Sequence, residues 1–156
     1  MYVSNDTISS VIQKLEQLDN VELVHKKSIK NGEFWRFEPL FENDVEIMLS
    51  RDSDSLLNIR EKKAVDEWIN SDKSFHIMRD HNHHKSRILA GMFGAKVSKL
   101  NLNYNDYQNY LSKIKNKKGQ DQIWLGNVIY PIVKNDCMIH ASKNFFNDEK
   151  ILDFPK

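Results

Sequence analysis

Two aspartates placed two residues apart, Asp52 and Asp54, are the side chains whose types and spacing best suit chemistry. They follow an apolar run at 46–50 that is predicted to be a β-strand, and residues i and i+2 of an extended segment point to the same side. Both carboxylates could therefore bind one hard divalent cation, which could in turn neutralise a diphosphate. An exposed turn after the strand is the alternative, because Asp and Ser also favour turns.

A second set of polar groups, Arg79, Asp80 and His81, follows the next predicted strand at 74–78. In open α/β sheets the ligand crevice lies beyond the carboxyl ends of the strands. If the two strands are neighbours, carboxylate, guanidinium and imidazole groups crowd one rim of the sheet. The alternative is a local salt bridge between Arg79 and Asp80, which contributes little to stability at a surface.

Zinc and cysteine chemistry are both disfavoured by the spacing of the candidate residues. His81, His83, His84, His140 and Cys137 are possible zinc ligands. However, the chain has no Cys-x-x-Cys and no His-Glu-x-x-His pattern. Cys137 is expected to be a buried, inert thiol, since it lies in an apolar strand candidate. The sequence therefore predicts neither a structural zinc site nor a cysteine nucleophile.

Two further pairs of residues have both a functional and a structural explanation. Gly91 and Gly94 could let a substrate approach the backbone closely, or could mark bends in a strand. Asp121 opens a predicted helix, where capping of free amide groups explains an aspartate without any substrate. Capping does not explain the neighbouring Gln122.

The charge and composition bound the class of protein. The 156 residues include 23 basic and 22 acidic side chains, a formal net charge of +1. This balance leaves no global field to concentrate nucleic acid or an anionic membrane, so a nucleic-acid partner is not expected. The length and the 40% of hydrophobic residues suit one domain over 1–156. The single cysteine, the lack of a signal-peptide pattern and the lack of a run of about 20 apolar residues predict a cytoplasmic protein without a transmembrane segment.

Hydrophobic periodicity predicts helices and strands in alternation, and hence an α/β sandwich with a largely parallel or mixed sheet. Asn58 and Glu61 fit a capping box at the start of a helix whose apolar face includes Ala64 and Trp68. Pro131 is expected to disturb a helical pattern at 122–133. Strands are expected at 2–4, 21–25, 46–50, 74–78 and 137–140, further helices at 8–18, 34–41 and 107–114, an apolar segment at 88–97, a polar loop at 26–33 and a basic turn at 115–119.

Seven motifs occur in a characteristic order over about residues 34–142: Phe34-Trp-Arg-Phe37, Arg51-Asp-Ser-Asp-Ser55, Arg60-Glu61 with Ala64-Val65 and Trp68, His76-Ile-Met-Arg-Asp-His81, Gly91-Met-Phe-Gly94, Asp121-Gln122 and His140-Ala-Ser142. This order resembles that of a bacterial and viral group of sugar-nucleotide glycosyltransferases. An Asp-x-Asp, a Gly-Met segment, an Asp-Gln and a late His are similar to the glycogenin and lipopolysaccharide galactosyltransferase type of GT-A enzyme.

The resemblance implies a GT-A-like α/β fold and a nucleotide-sugar-dependent glycosyltransferase that moves a sugar to a glycan or other acceptor. It implies that Asp52, Asp54 and His140 bind a manganese or magnesium ion that bridges the donor diphosphate. Asp80 and Asp121 are the implied catalytic residues, which would hold sugar hydroxyls. The implied substrate-binding residues are Arg51, Arg60, Arg79, His81, Gly91, Met92, Gly94 and Gln122.

Compared with this family, the chain is expected to be N-terminally short and to lack the first nucleotide-binding strand. We therefore expect an open sheet edge, poor transfer by the isolated chain, and either self-association or pairing with an N-terminal partner chain. A non-catalytic GT-A-derived binding or assembly module is the alternative, favoured by Ala141 where the related motif has Asp. A metal-dependent phosphohydrolase is disfavoured, because no Asp-x-Asp-x-Thr pattern is present.

Overall fold

A computed structural model describes residues 1–27, 31–115 and 117–156. The loop predicted at 26–33 and the turn predicted at 115–119 therefore lie partly outside the described residues. The chain divides into two compact units, Met1–Glu38 and Pro39–Lys156. The expectation of one domain over the whole chain stays a prediction. Within the described residues, no helix has the length and apolar character needed to cross a membrane.

The first unit contains a small two-stranded sheet and one amphipathic helix. Strands β1 (Tyr2–Ser4) and β2 (Val24–Lys26) pair in parallel, and helix α1 (Ser9–Glu16) lies between them in the chain. The strand expected at 21–25 therefore begins three residues later. A 3-10 helix over Gly32–Phe41 crosses from the first unit into the second. The helix contains Phe34 and Phe37, two buried rings in edge-to-face contact with centroids 5.7 Å apart.

The second unit is built on a four-stranded mixed sheet with the order β3-β5-β4-β6. Its strands are β3 (Ile47–Arg51), β4 (Phe75–Arg79), β5 (Met92–Lys96) and β6 (Cys137–Ala141). β5 runs antiparallel to both of its neighbours, whereas β4 and β6 are parallel. The carboxyl ends of β3, β4 and β6 therefore lie at the same end of the sheet, beside the start of β5. The expected α/β class is confirmed, and β3 is an edge strand among the described residues.

Helix α2 (Ile59–Ile69) covers one face of this sheet. The Trp68 ring stacks on the His76 ring at a centroid distance of 5.4 Å. A Cβ atom at Gly94 would lie 2.7 Å from the Trp68 ring, so a glycine is needed for this close approach. The cap predicted at Asn58 is confirmed, because the Glu61 backbone N–H donates to Asn58 Oδ1 at 2.9 Å. The Glu61 carboxylate accepts from the Asn58 side-chain Nδ2, whereas in a capping box it would accept from the backbone N–H.

The opposite face of the sheet carries buried aromatic side chains, and further helices follow β5 in the chain. Phe75 and Phe93 stack on this face with centroids 5.3 Å apart. Helix α3 (Tyr104–Lys113) begins three residues earlier than predicted, because Asn103 caps it. A second helical stretch consists of α4 (Gln120–Trp124), a π-helical turn (Leu125–Ile129) and α5 (Tyr130–Val133). The wider turn directly precedes Pro131, which has no N–H to donate to the preceding turn.

Candidate functional site

We call the end of the sheet where β3, β4 and β6 finish the rim. The charged residues that follow β3 and β4 lie at or beneath it. β3 and β4 are not neighbours, because β5 lies between them. The ends of β4 and β6 are joined by Ser142, whose backbone N–H donates to the Arg79 carbonyl at 2.9 Å and whose hydroxyl donates to the Asp80 carbonyl at 2.7 Å. These bonds fix the backbone of Asp80 at the rim.

Asp52 lies against the backbone of Gly91, where β5 is about to begin. A Cβ atom at Gly91 would lie 2.2 Å from Asp52 Oδ2 and 2.4 Å from Asp52 Cγ. Real side chains do not approach so closely, so only glycine leaves room for this carboxylate. The Ser50 hydroxyl donates to the Ala90 carbonyl at 2.5 Å and holds the two segments together. Gly91 is therefore explained by its contact with Asp52, independently of any substrate.

The geometric reason for pairing Asp52 with Asp54 is corrected by the structure. β3 ends at Arg51, and the next residues form a turn in which the Ser55 N–H donates to the Asp52 carbonyl at 3.1 Å. Strand alternation therefore does not orient the two carboxylates, and the local backbone is the exposed-turn alternative. Asp52 is partly buried and Asp54 is exposed.

Two arginines accompany these carboxylates, each beside an acidic partner. Arg51 Nε lies 3.8 Å from Glu61 Oε2, and burial lowers the pKa of Arg51 while the charges of Glu61 and Asp80 oppose that shift. Arg60 Nη2 lies 3.8 Å from Asp80 Oδ2, and its guanidinium stacks 4.6 Å from the Phe154 ring centroid. Arg60 is the more exposed of the two and can reach a ligand at the rim.

The histidines after β4 cluster in the loop beside Asp80. The rings of His81 and His83 are 5.1 Å apart, those of His81 and His84 are 5.8 Å apart, and His84 Nδ1 lies 2.8 Å from Asp80 Oδ1. Among the residues that the structure describes, no group of three or more His, Cys, Asp or Glu side chains is arranged to hold a metal ion. Burial raises the pKa of the Cys137 thiol to about 11, which keeps it protonated.

Arg79 lies beneath the rim and does not reach its surface. Its side chain is 0% exposed and pairs with the carboxylate of Glu149, which is 1% exposed. The Arg79 guanidinium also donates to the Arg87 carbonyl at 3.0 Å, and Arg87 Nη1 lies 3.1 Å from Glu149 Oε1. The substrate-binding role expected for Arg79 does not fit this burial, and the local pair with Asp80 is replaced by a pair across 70 residues of chain.

His140 is likewise separated from the two aspartates with which it was expected to bind a metal. His140 lies on β6, which is three strands away from β3. At the usual strand spacing this places the two strands roughly 14 Å apart. Its Nδ1 lies 2.9 Å from His76 Nε2, and its Nε2 lies 3.4 Å from Glu67 Oε2. Burial lowers the pKa of His140, and Glu67 opposes that shift. The imidazole therefore faces α2 and does not fit a common ion with Asp52 and Asp54.

The remaining predicted site residues have packing or capping contacts. Met92 packs with Met78 in the cluster beneath α2, and Gly94 lies beneath Trp68. Asp121 is buried and accepts a hydrogen bond from the Gln122 N–H at 2.8 Å, as expected for a carboxylate in the first turn of a helix. The capping role expected for Asp121 is corrected by the structure, because the helix starts at Gln120 and its N-cap is Gly119, which has a positive φ of 85°.

Sequence reasoning missed two carboxylates that support the rim. Glu61 was identified as a capping residue and as part of the Arg60-Glu61 motif, but not as the partner of Arg51. Glu149 was not identified at all, although it neutralises the buried Arg79. The spacing of Glu149 from its partner carries no local signal, since the two residues meet only through folding.

Known proteins provide no further constraint on the site. Comparison of the chain with models of known protein families, with curated proteins and with solved structures found no match in any of the three. The architecture of the sheet and the groups at its rim therefore carry the functional argument.

Proposed function

We propose that the rim binds a nucleotide diphosphate together with a divalent cation, and that the protein is a metal-dependent glycosyltransferase with a GT-A-like fold. The observation that carries this proposal is the Asp52 carboxylate against Gly91, at the edge where three strands end. In open α/β sheets this edge is where ligands bind. The donor would be a nucleotide sugar, and the acceptor a glycan or another hydroxyl-bearing molecule.

Manganese or magnesium suits this rim although no three ligands among the described residues converge there. Mg²⁺ usually keeps several waters and is held by one or two carboxylates plus the phosphates of the substrate. Asp52 and Asp54 would supply those carboxylates, and His140 is left out because it faces α2. A bound cation of this kind supplies Lewis acidity, which stabilises negative charge on a departing diphosphate.

Arg60 and Asp80 would act together on the donor. Arg60 is accessible, and its guanidinium can make charge-assisted hydrogen bonds to phosphate oxygens. Asp80 lies between Arg60 and His84, which restrains its carboxylate. That carboxylate is the better placed of the two proposed catalytic residues to accept hydrogen bonds from sugar hydroxyls, because Asp121 is buried in the first turn of α4.

Calorimetric titration with UDP and with GDP, each with and without manganese, tests the proposal. The double variant Asp52→Asn, Asp54→Asn loses two charged ligands worth roughly 1.5 kcal/mol or more each. We therefore expect manganese-dependent binding to weaken by about a hundredfold or more. Asp72→Asn is the matched control, because this exposed aspartate lies in the turn before β4, at the opposite end of that strand. Unchanged binding by the double variant would contradict the proposal.

A non-catalytic nucleotide-diphosphate-binding module is the second candidate. The burial of His140 and the presence of Ala141 favour it, because both remove polar groups that the resembling enzymes have near the end of this strand. The two candidates differ in turnover and share the binding prediction. Manganese-dependent binding without release of free nucleotide, in a panel of nucleotide sugars and acceptors, would favour the module over the transferase.

A further inference from the structure

A concave surface in the same unit as the rim is lined by aromatic, aliphatic and polar side chains. Its volume is about 500 Å³, within the range of ligand-binding clefts. We call it the aromatic groove. Its aromatic lining is formed by Phe41, Tyr107, Tyr110 and Trp124.

The rings of the aromatic groove touch one another in a chain, in which Tyr107 and Trp124 are buried and Phe41 and Tyr110 are half-buried. Phe41 and Tyr107 are stacked with centroids 4.8 Å apart and planes 27° apart. Tyr107 continues to Trp124 at 5.3 Å, and Trp124 continues to Tyr110 at 6.5 Å. Rings held by such neighbours have few rotamers left to lose when a ligand binds, so the surface is preorganised.

Polar groups on one side of the groove are neutral or acidic. Asn101, Asn103 and Asp106 line it and are exposed. Asn103 Oδ1 accepts the N–H groups of Asn105 and Asp106 as the cap of α3, and this bond does not use its Nδ2 donor. Among the described residues that line the groove there is no Lys, Arg or His. The lining therefore disfavours phosphates and other anions and suits an uncharged ligand that carries hydroxyl or amide groups.

The aromatic groove lies toward the other end of the sheet, away from the rim. Asn101 follows the carboxyl end of β5, whereas Gly91 at the rim precedes the start of β5. Phe41 likewise precedes the start of β3, whereas Asp52 follows its end. The two surfaces are thus separated by about the length of a five-residue strand, roughly 17 Å.

We propose that the aromatic groove binds a neutral oligosaccharide at a distance from the site of chemistry. The apolar faces of sugar rings can lie on the half-buried rings of Phe41 and Tyr110, which Tyr107 and Trp124 support from beneath. The hydroxyl edges can pair with amide and carboxylate groups such as those of Asn101 and Asp106. The choice of a glycan as the ligand rests on the proposed function, in which a glycan is an acceptor. The groove would hold part of that chain while another part reaches the rim.

The test is an NMR titration of the isotopically labelled full chain, without metal or nucleotide, with maltohexaose, cellohexaose and chitohexaose at millimolar concentration. We expect at least one of them to shift the amide signals of 101–110 and the Trp124 indole signal. Tyr110→Ala and Asn101→Ala each remove a lining group and should weaken this binding about tenfold. Asn105→Ala, on the same helix but outside the lining, is the matched control and should bind like the parent.

Failure of the glycan proposal and failure of the proposed function are distinguishable in this design. The Asp52→Asn, Asp54→Asn variant should bind the oligosaccharide unchanged, whatever its behaviour toward nucleotides. No shift with any of the three oligosaccharides would overturn the proposal. So would shifts at the same residues caused instead by a hexaproline peptide, since aromatic grooves also accept polyproline helices.

Discussion

The two ends of one sheet carry different chemistry in this protein. At the rim the exposed groups are charged, and each arginine lies beside an acidic partner, as in the pairs Arg60–Asp80 and Arg51–Glu61. At the aromatic groove the lining consists of touching aromatic rings, aliphatic side chains, two uncharged amides and one carboxylate. The rim therefore depends on buried and half-buried charge pairs, whereas the groove depends on ring packing and on the cap of one helix. Substitutions and pH should affect the two ends differently.

The largest expected effect concerns the charge pair beneath the rim. Glu149→Gln leaves the guanidinium of Arg79 buried without a counter-charge, so the free energy of unfolding should fall by about 3–5 kcal/mol. Asp66→Asn, in the exposed Lys62–Asp66 pair, is the control and should lower it by less than about 0.5 kcal/mol. Urea denaturation measures both values. An equal loss of unfolding free energy in the two variants would show that the buried Arg79–Glu149 pair does not stabilise the structure beneath the rim.

The second effect is a dependence of stability on pH. Burial, with smaller contributions from the charges of His140 and Arg51, lowers the pKa of His76 to about 3. The folded protein keeps this imidazole neutral while the unfolded chain protonates it near its ordinary pKa. The stabilisation is therefore full above that ordinary pKa and is lost as the pH falls toward the folded value. His76 should lower the free energy of unfolding by about 2 kcal/mol between pH 7 and pH 5.

Two measurements isolate the contribution of His76. Urea denaturation of His76→Gln should lack this part of the pH dependence, whatever the stability of the variant at pH 7. His83→Gln, which removes an exposed histidine, is the control and should keep the parent slope. In NMR spectra the imidazole signals of His76 should not titrate between pH 7 and pH 5. A titration in that interval would show that the imidazole is not held neutral.

The third effect concerns the contact between Asp52 and Gly91. In Gly91→Ala the new Cβ atom must displace the Asp52 carboxylate, so manganese-dependent binding of UDP or GDP should weaken by about tenfold or more. Gly126→Ala is the matched control, because no heavy atom lies within 4 Å of its Cβ position. The control should bind normally and should be as stable as the parent or up to about 1 kcal/mol more stable. Equal binding by the two variants would contradict the role given to Asp52.

The smallest effect concerns the opposite end of the sheet. Asn103→Ala removes the acceptor for two backbone N–H groups of α3, so the free energy of unfolding should fall by about 1 kcal/mol. Asn103→Ser should restore most of this loss, since serine is also a good cap. Asn105→Ala is the control and should change stability by less than about 0.5 kcal/mol. Thermal or urea denaturation would detect whether Asn103 indeed caps the helix.

Most of the local features could be predicted from the sequence because they depend on near neighbours. The cap that Asn58 provides for the Glu61 N–H joins residues three apart, and the strands expected at 46–50 and 74–78 are shifted by only one residue in the structure. The extended geometry expected for the paired aspartates was wrong for a local reason. The Ser and Asp residues that follow Arg51 also suit a turn, and a turn is what forms.

The sequence alone determined most of the individual helices and strands, the cap at Asn58 and the presence of charged residues after two strands. The expectation of strict alternation was wrong, because β5 follows β4 with no helix between them. Hydrophobic period and capping act within a few residues, so they can be read without the fold. Tertiary structure decided that β5 lies between β3 and β4, that Glu149 neutralises Arg79, and that His140 faces α2. Strand order and the pairing of buried charges depend on which distant segments pack together. Local sequence carries no information on that choice, because those contacts form only when the whole sheet is assembled.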